Sequence, residues 1–129
     1  MLGTSFSLVL GIGLAGFVGA ILRYFLSGWI YVTLGSKLPY GTLAVNVLGC
    51  LLVGLCYVVF VEKGLFSEEA RLIITVGFLG ALTTFSTFSL ETYLLANEGY
   101  GLASLINVVA SVLMCLAAVL IGIFMGRQI

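Results

Sequence analysis

An all-α membrane protein with four transmembrane helices is predicted by composition, by four long apolar stretches and by the absence of barrel patterning. Of the 129 residues, 62% are hydrophobic and 8% charged, and the mean hydropathy is +1.30. A soluble domain of this size must present a polar exterior to water, so the solvent of this chain is a lipid bilayer. Each stretch exceeds the roughly 20 residues needed to cross hydrocarbon. Backbone polar groups inside a bilayer must be satisfied within the element, and no alternating barrel pattern is present, so the spans are helices. The expectation is one integral membrane domain over residues 1–129, without a soluble domain or linker.

The first helix is expected over about 5–32. The N-terminus has no basic n-region, so it reads as a retained span and not as a cleaved signal. Gly11, Ala15 and Gly19 recur every four residues, as do Gly16 and Ala20, and such stripes invite close helix contact. An oligomer is expected on this ground, most simply a two-fold dimer. The loop 34–39 holds Gly35, Ser36, Lys37 and the only proline, Pro39. The second helix is expected over 40–61. The loop Glu62–Glu69 gathers four of the ten charges. The third helix is expected over 70–95, the turn 96–101 contains Asn97, Glu98 and Gly99, and the fourth helix is expected over 102–125.

The third helix carries the most unusual segment, Gly77-Phe-Leu-Gly-Ala-Leu-Thr-Thr-Phe-Ser-Thr-Phe-Ser-Leu-Glu91. Glycines and hydroxyls in the middle of an apolar run read as a local break that exposes polar groups to an ion or water. Its start, Gly77 to Ala81, echoes Gly16-Phe-Val-Gly-Ala20. The echo is either chance in a glycine-rich chain or a repeated packing device on helices one and three.

Charge and residue types exclude several functions. Five basic and five acidic residues balance, and no basic tract suggests nucleic acid. The chain has neither His nor Asp, which removes most metal and acid–base catalysis, so no enzyme is expected. Cys50, Cys56 and Cys115 lie in apolar stretches; their odd number and wide spacing argue against disulfides, and they read as small packing residues. Lys63, Arg71 and Arg127 lie toward one face and Lys37 toward the other. This bias leans to both termini being cytoplasmic and also fits insertion in both orientations.

The intramembrane polar residues carry open readings. Arg23 either snorkels to the interface, attracts anions to a vestibule or pairs with Glu91. Asn46 either glues helices together or donates N–H to an anion. Ser104, Asn107 and Ser111 share one face of the fourth helix, and Cys115 continues that stripe. Phe85 and Phe88 either pack or turn their positive ring edges to an anion. Donors are plentiful and Glu91 is the only acid among them, which favours an anion over a cation. Glu91 itself either caps its segment, pairs with Arg23 or titrates.

The motifs Gly16-x-x-Gly-Ala-x-x-Arg23, Pro39-x-Gly-Thr-Leu-x-x-Asn46-x-x-Gly49 and Gly77-x-x-Gly80-x-x-Thr-Thr-Phe-Ser-Thr-Phe-Ser-x-Glu91 together resemble the CrcB/Fluc family of fluoride channels, over essentially the whole chain. The resemblance implies an antiparallel, dual-topology homodimer in the bacterial plasma membrane. It implies passive, selective fluoride export that relieves toxicity, through two pores per dimer. It also implies a structural, untransported sodium ion at the dimer centre, held by the backbone carbonyls of Gly80 and Thr83 from both subunits. By position in the motifs, Phe85, Phe88 and Asn46 fall on pore residues and Arg23 on the vestibule. Asn107, Ser111 and Cys115 fall on the family's polar track, where Cys115 departs from the usual serine and its thiol donates weakly. Thr84 and Thr87 are candidate hydroxyl donors. Two other classes compete. A small multidrug transporter needs an acid in its first helix, and this chain has none before Glu62. A membrane scaffold leaves the hydroxyl-rich segment unexplained.

Overall fold

Four apolar helices follow one another along the chain: α1 (Phe6–Leu34), α2 (Tyr40–Glu62), α3 (Glu68–Asn97) and α4 (Gly101–Gln128). The computed structural model describes residues 5–129; residues 1–4 of the expected domain lie outside the described residues. The helices contain 29, 23, 30 and 28 residues, or roughly 35–45 Å at 1.5 Å per residue. Each is therefore long enough to cross a hydrocarbon core of about 30 Å.

Local chemistry sets the ends. α1 stops where Gly35 takes φ 85° and returns its N–H to the Tyr31 carbonyl, a backbone conformation that costs glycine nothing. Pro39 immediately precedes α2. α3 begins two residues before the expected 70, because Ser67 caps it by accepting from the Ala70 N–H at 3.2 Å. Glu68 and Glu69 occupy the first turn, where the helix dipole favours negative charge. Charges that read as loop are thus the opening of the helix. α3 ends when Gly99, at φ 90°, bonds back to Ala96 and Tyr100 bonds back to Leu95, the paired bonds of a Schellman turn.

α2 and α3 depart from regular α geometry. The end of α2, Val58–Glu62, widens, with the Lys63 N–H reaching the Val58 carbonyl. Ile73–Leu79 in α3 widens likewise. Such i→i+5 turns concentrate at functional sites. Beyond Gly80–Leu82, Thr83 (ψ 157°) and Thr84 (φ −151°, ψ 117°) are extended, and a second arm, Phe85–Asn97, resumes the helix.

Two glycine seams hold the bundle. Along α1 and α3 the two echoed sequences meet. A Cβ on Gly77 would lie 2.7 Å from the Ile12 carbonyl oxygen, one on Gly19 would overlap the Phe78 carbonyl, and Gly16 faces Gly77 and Ala81. The echo is a packing device used inside the chain. Along α2 and α4, Gly54 meets the backbone at Val119 and Ile123, Gly122 meets it at Leu51 and Leu55, and Gly126 meets the Val58 side chain. Close backbone approach of this kind replaces the hydrophobic drive that lipid cannot supply. At the end of this seam Arg127 binds Glu62 through two N–H···O bonds, 2.5 and 3.0 Å long.

Candidate functional site

The extended pair Thr83–Thr84 is held open by Asn46 on α2. Asn46 Nδ2 donates to the Thr84 carbonyl at 3.0 Å, and Asn46 Oδ1 accepts from the Thr84 N–H at 2.8 Å. In a continuous helix that N–H would bond to the Gly80 carbonyl. The amide side chain thus takes the place of a helical turn. It acts as glue between α2 and α3, and one of its two N–H groups is left over from the clamp.

Thr84 also starts the second arm. Its Oγ1 accepts from the Thr87 N–H at 3.3 Å, as an N-cap should, and its hydroxyl donates to Thr87 Oγ1 at 3.0 Å. Thr83 turns its hydroxyl back to the Leu79 carbonyl at 3.0 Å, and its methyl fills the space over Gly49, where a Cβ would collide with it. Among the described residues, no backbone N–H beyond the break returns to the carbonyls of Gly80 or Thr83.

A cavity of about 380 Å³ opens at the break, between α2, α3 and α4. Asn46, Gly80, Thr83, Thr84, Phe85, Phe88 and Ser111 all reach it, as do Cys50 and Cys115. None of its lining residues carries a charge. The rings of Phe85 and Phe88 lie 5.4 Å apart at 49°, and Phe85 is 78% exposed. The wall therefore combines aromatic groups with amide and hydroxyl groups.

Not every expected residue gathers there. Thr87, Asn107 and Arg23 do not line the cavity. The helix-four stripe turns instead to the second arm of α3: Ser104 donates to the Thr92 carbonyl at 2.8 Å and Asn107 Nδ2 to Thr92 Oγ1 at 2.9 Å. Ser111 donates to Asn107 Oδ1 at 3.5 Å, so a chain of polar groups runs from Thr92 to the cavity. Thr92 lies one residue beyond the hydroxyl-rich segment, and only its helical register with Phe85 and Phe88 signals it.

Glu91 has partners other than Arg23. Its Oε1 accepts from Tyr31 Oη at 2.7 Å and from Thr42 Oγ1 at 2.9 Å, linking α1, α2 and α3. Its Oε2 is buried without a protein partner among the described residues. The ion pairs among the described residues are Arg71–Glu68 and Arg127–Glu62, so the pairing of Arg23 with Glu91 is not formed. Tyr31 carries no sequence signal for this role, since a tyrosine at the end of an apolar run resembles an interfacial anchor.

Known proteins resemble the chain closely. A family model described as "CrcB-like protein, Camphor Resistance (CrcB)" matches residues 10–123. The "Fluoride-specific ion channel FluC" of Geobacter metallireducens is 46% identical over 121 residues, covering 94% of this chain and 98% of that protein. The protein of the same name from Geotalea daltonii shows the same identity and coverage. That from Citrifermentans bemidjiense is 47% identical over 118 residues, covering 92% and 95% of the two chains. A multi-pass membrane protein with four spanning helices, the chain belongs to the CrcB-like family, whose fluoride-channel members it resembles along nearly its whole length.

Proposed function

We propose that this protein is a fluoride-selective channel, and not an enzyme, that lets fluoride leave the cytoplasm passively and so relieves its toxicity. The observation that carries the reading is the uncharged cavity at the Thr83–Thr84 break, which brings Phe85, Phe88, Asn46 and Ser111 together without a carboxylate. Amide and hydroxyl donors beside aromatic ring edges, with no ring of carboxylates, suit an anion better than a cation.

Fluoride is small and tightly hydrated, so a pathway must replace its water with donors. The leftover Asn46 N–H offers a hydrogen bond, and the Ser111 hydroxyl, held only by a long 3.5 Å bond to Asn107 Oδ1, can rotate to offer another. Phe85 and Phe88 offer positive ring edges that attract an anion without trapping it. Cavity width and donor spacing discriminate against the larger chloride. Arg23, unpaired by any carboxylate among the described residues, draws anions toward the vestibule. Thr84 is part of this wall, and Asn107 and the Thr87 hydroxyl support it from behind through the bonds described above.

The break lies within the membrane and serves a second purpose. The carbonyls of Gly80 and Thr83, freed from helical donors, are hard oxygen ligands suited to sodium. One chain supplies too few ligands for such an ion. Two copies arranged antiparallel about a two-fold axis bring both sets together, giving a homodimer with a structural sodium ion at its centre and two pores.

The cavity reading is tested by Phe85→Ile and Phe88→Ile in reconstituted vesicles. Each removes the ring edge while keeping a large apolar side chain. Each should reduce fluoride efflux at least about tenfold, equivalent to roughly 1.4 kcal/mol in the barrier, while the assembly persists. Undiminished efflux in both variants would remove the aromatic wall from the mechanism.

A further inference from the structure

Cys50 on α2 and Cys115 on α4 both reach the cavity, next to Ser111, yet the mechanism uses neither thiol. Both lie on the walls of that one cavity, where α2 and α4 pack against each other. The α2–α4 seam explains why. Gly54 lies against Val119 and Ile123, and Gly122 against Leu51 and Leu55, so the turn of α2 that holds Cys50 faces the turn of α4 that precedes Ala118. Both thiols are partly exposed within the chain. No third sulfur, histidine or carboxylate joins them among the described residues, which excludes the four-ligand site that structural zinc requires. Two thiols facing one cavity, with only neutral neighbours, suit a soft cation content with two sulfur ligands.

We propose that Cys50 and Cys115 form a two-thiol site for a soft, thiophilic cation of low coordination number, and that its occupancy obstructs the cavity. Two S–H bonds break and two metal–sulfur bonds form. Both protons pass to water, and nothing is oxidised or reduced. The site stands on the placement of the two cysteines, on facing turns of α2 and α4 that line one cavity; only the obstruction rests on the channel reading above. Cys56 lies six residues beyond Cys50, off its helical face and away from the cavity lining, so it serves as an internal control.

The probe is divalent mercury, added to the purified full-length protein and to the same protein in vesicles. The expected result is one ion per chain with the ultraviolet band of sulfur–mercury–sulfur coordination. That ion should be retained against excess 2-mercaptoethanol and released by dithiothreitol. Cys56→Ser should behave as the native chain does. Cys50→Ser and Cys115→Ser should each lose the ion to 2-mercaptoethanol, with size-exclusion behaviour confirming that they remain folded. If the native chain gives up mercury to the monothiol as readily as the single variants, the two-sulfur site is refuted without reliance on any variant. Fluoride efflux should fall on loading and recover with dithiothreitol. Two-sulfur binding with unchanged efflux would overturn the obstruction and leave the site. A native chain without efflux would count against the channel reading alone, since the binding measurement does not depend on it.

Discussion

At the scale of single residues, the arrangement turns on one amide. Asn46 was legible as a polar residue inside an apolar helix, but its partner was not: it grips a backbone 38 positions away, and no local pattern announces that. Its two bonds explain why Thr84 stays extended between helical arms. Asn46→Ala leaves the part-buried Thr84 N–H and carbonyl without their partner, a loss of about 1 kcal/mol per group. The variant should unfold at a lower temperature and conduct fluoride poorly. Asn46→Asp keeps the acceptor for the N–H but sets an oxygen against the Thr84 carbonyl and a negative charge in the cavity, so its efflux should fall below that of the alanine variant. Thermal unfolding and efflux measured on both variants check this order; an aspartate variant with native efflux would show that the clamp and donor roles are misassigned. The Tyr31–Thr42–Glu91 cluster teaches the same lesson. Glu91 stood out by its charge, whereas the hydroxyls that hold it come from two other helices.

At the scale of elements, the sequence was more informative, because membrane helices are written in apolar length and small-residue spacing. All four spans appear in the expected places, and their ends shift by only a few residues. The shifts come from capping chemistry: Ser67 and its two glutamates open α3 where charge alone suggested a loop. The small residues of α1 suggested contact with another copy, but Gly11, Gly16 and Gly19 meet α3 of the same chain. Spacing identifies a close-packing face without naming its partner. Gly122→Leu should separate α2 from α4, since the new side chain would meet the Leu51 carbonyl and the backbone at Leu55, atoms that cannot turn aside. The cost should be at least about 1–3 kcal/mol of overpacking, read as a loss of folded protein in detergent. Gly13→Ala, where a Cβ meets nothing within 4 Å, should be neutral or stabilise the helix by up to about 1 kcal/mol. Equal effects from the two substitutions would contradict the seam.

At the scale of the whole molecule, few apolar side chains are buried: Val45, Val58, Leu79, Leu82 and Ala118. Most of the rest among the described residues, including Phe17, Phe25 and Trp29 of α1, face outward, as suits a chain surrounded by lipid. Arg71 and Arg127 are each paired with a glutamate at their own end of the bundle, but the orientation rule counts Lys and Arg and not net charge, so the bias legible in the sequence stays small and unchanged. A small bias of this kind suits a chain that inserts both ways. If the carbonyls of Gly80 and Thr83 from two copies hold sodium between them, replacing sodium with a bulky organic cation should lower the dimer fraction seen by cross-linking in detergent; an unchanged fraction would remove the ion from the assembly. The central claim, a cavity that passes fluoride and refuses chloride, is tested most directly by electrode-monitored efflux from vesicles containing the purified protein, with potassium and its ionophore compensating charge. The expected result is rapid fluoride release, no chloride release from matched vesicles, and no requirement for a proton carrier. Folded protein that releases no fluoride, or releases both halides alike, would contradict it.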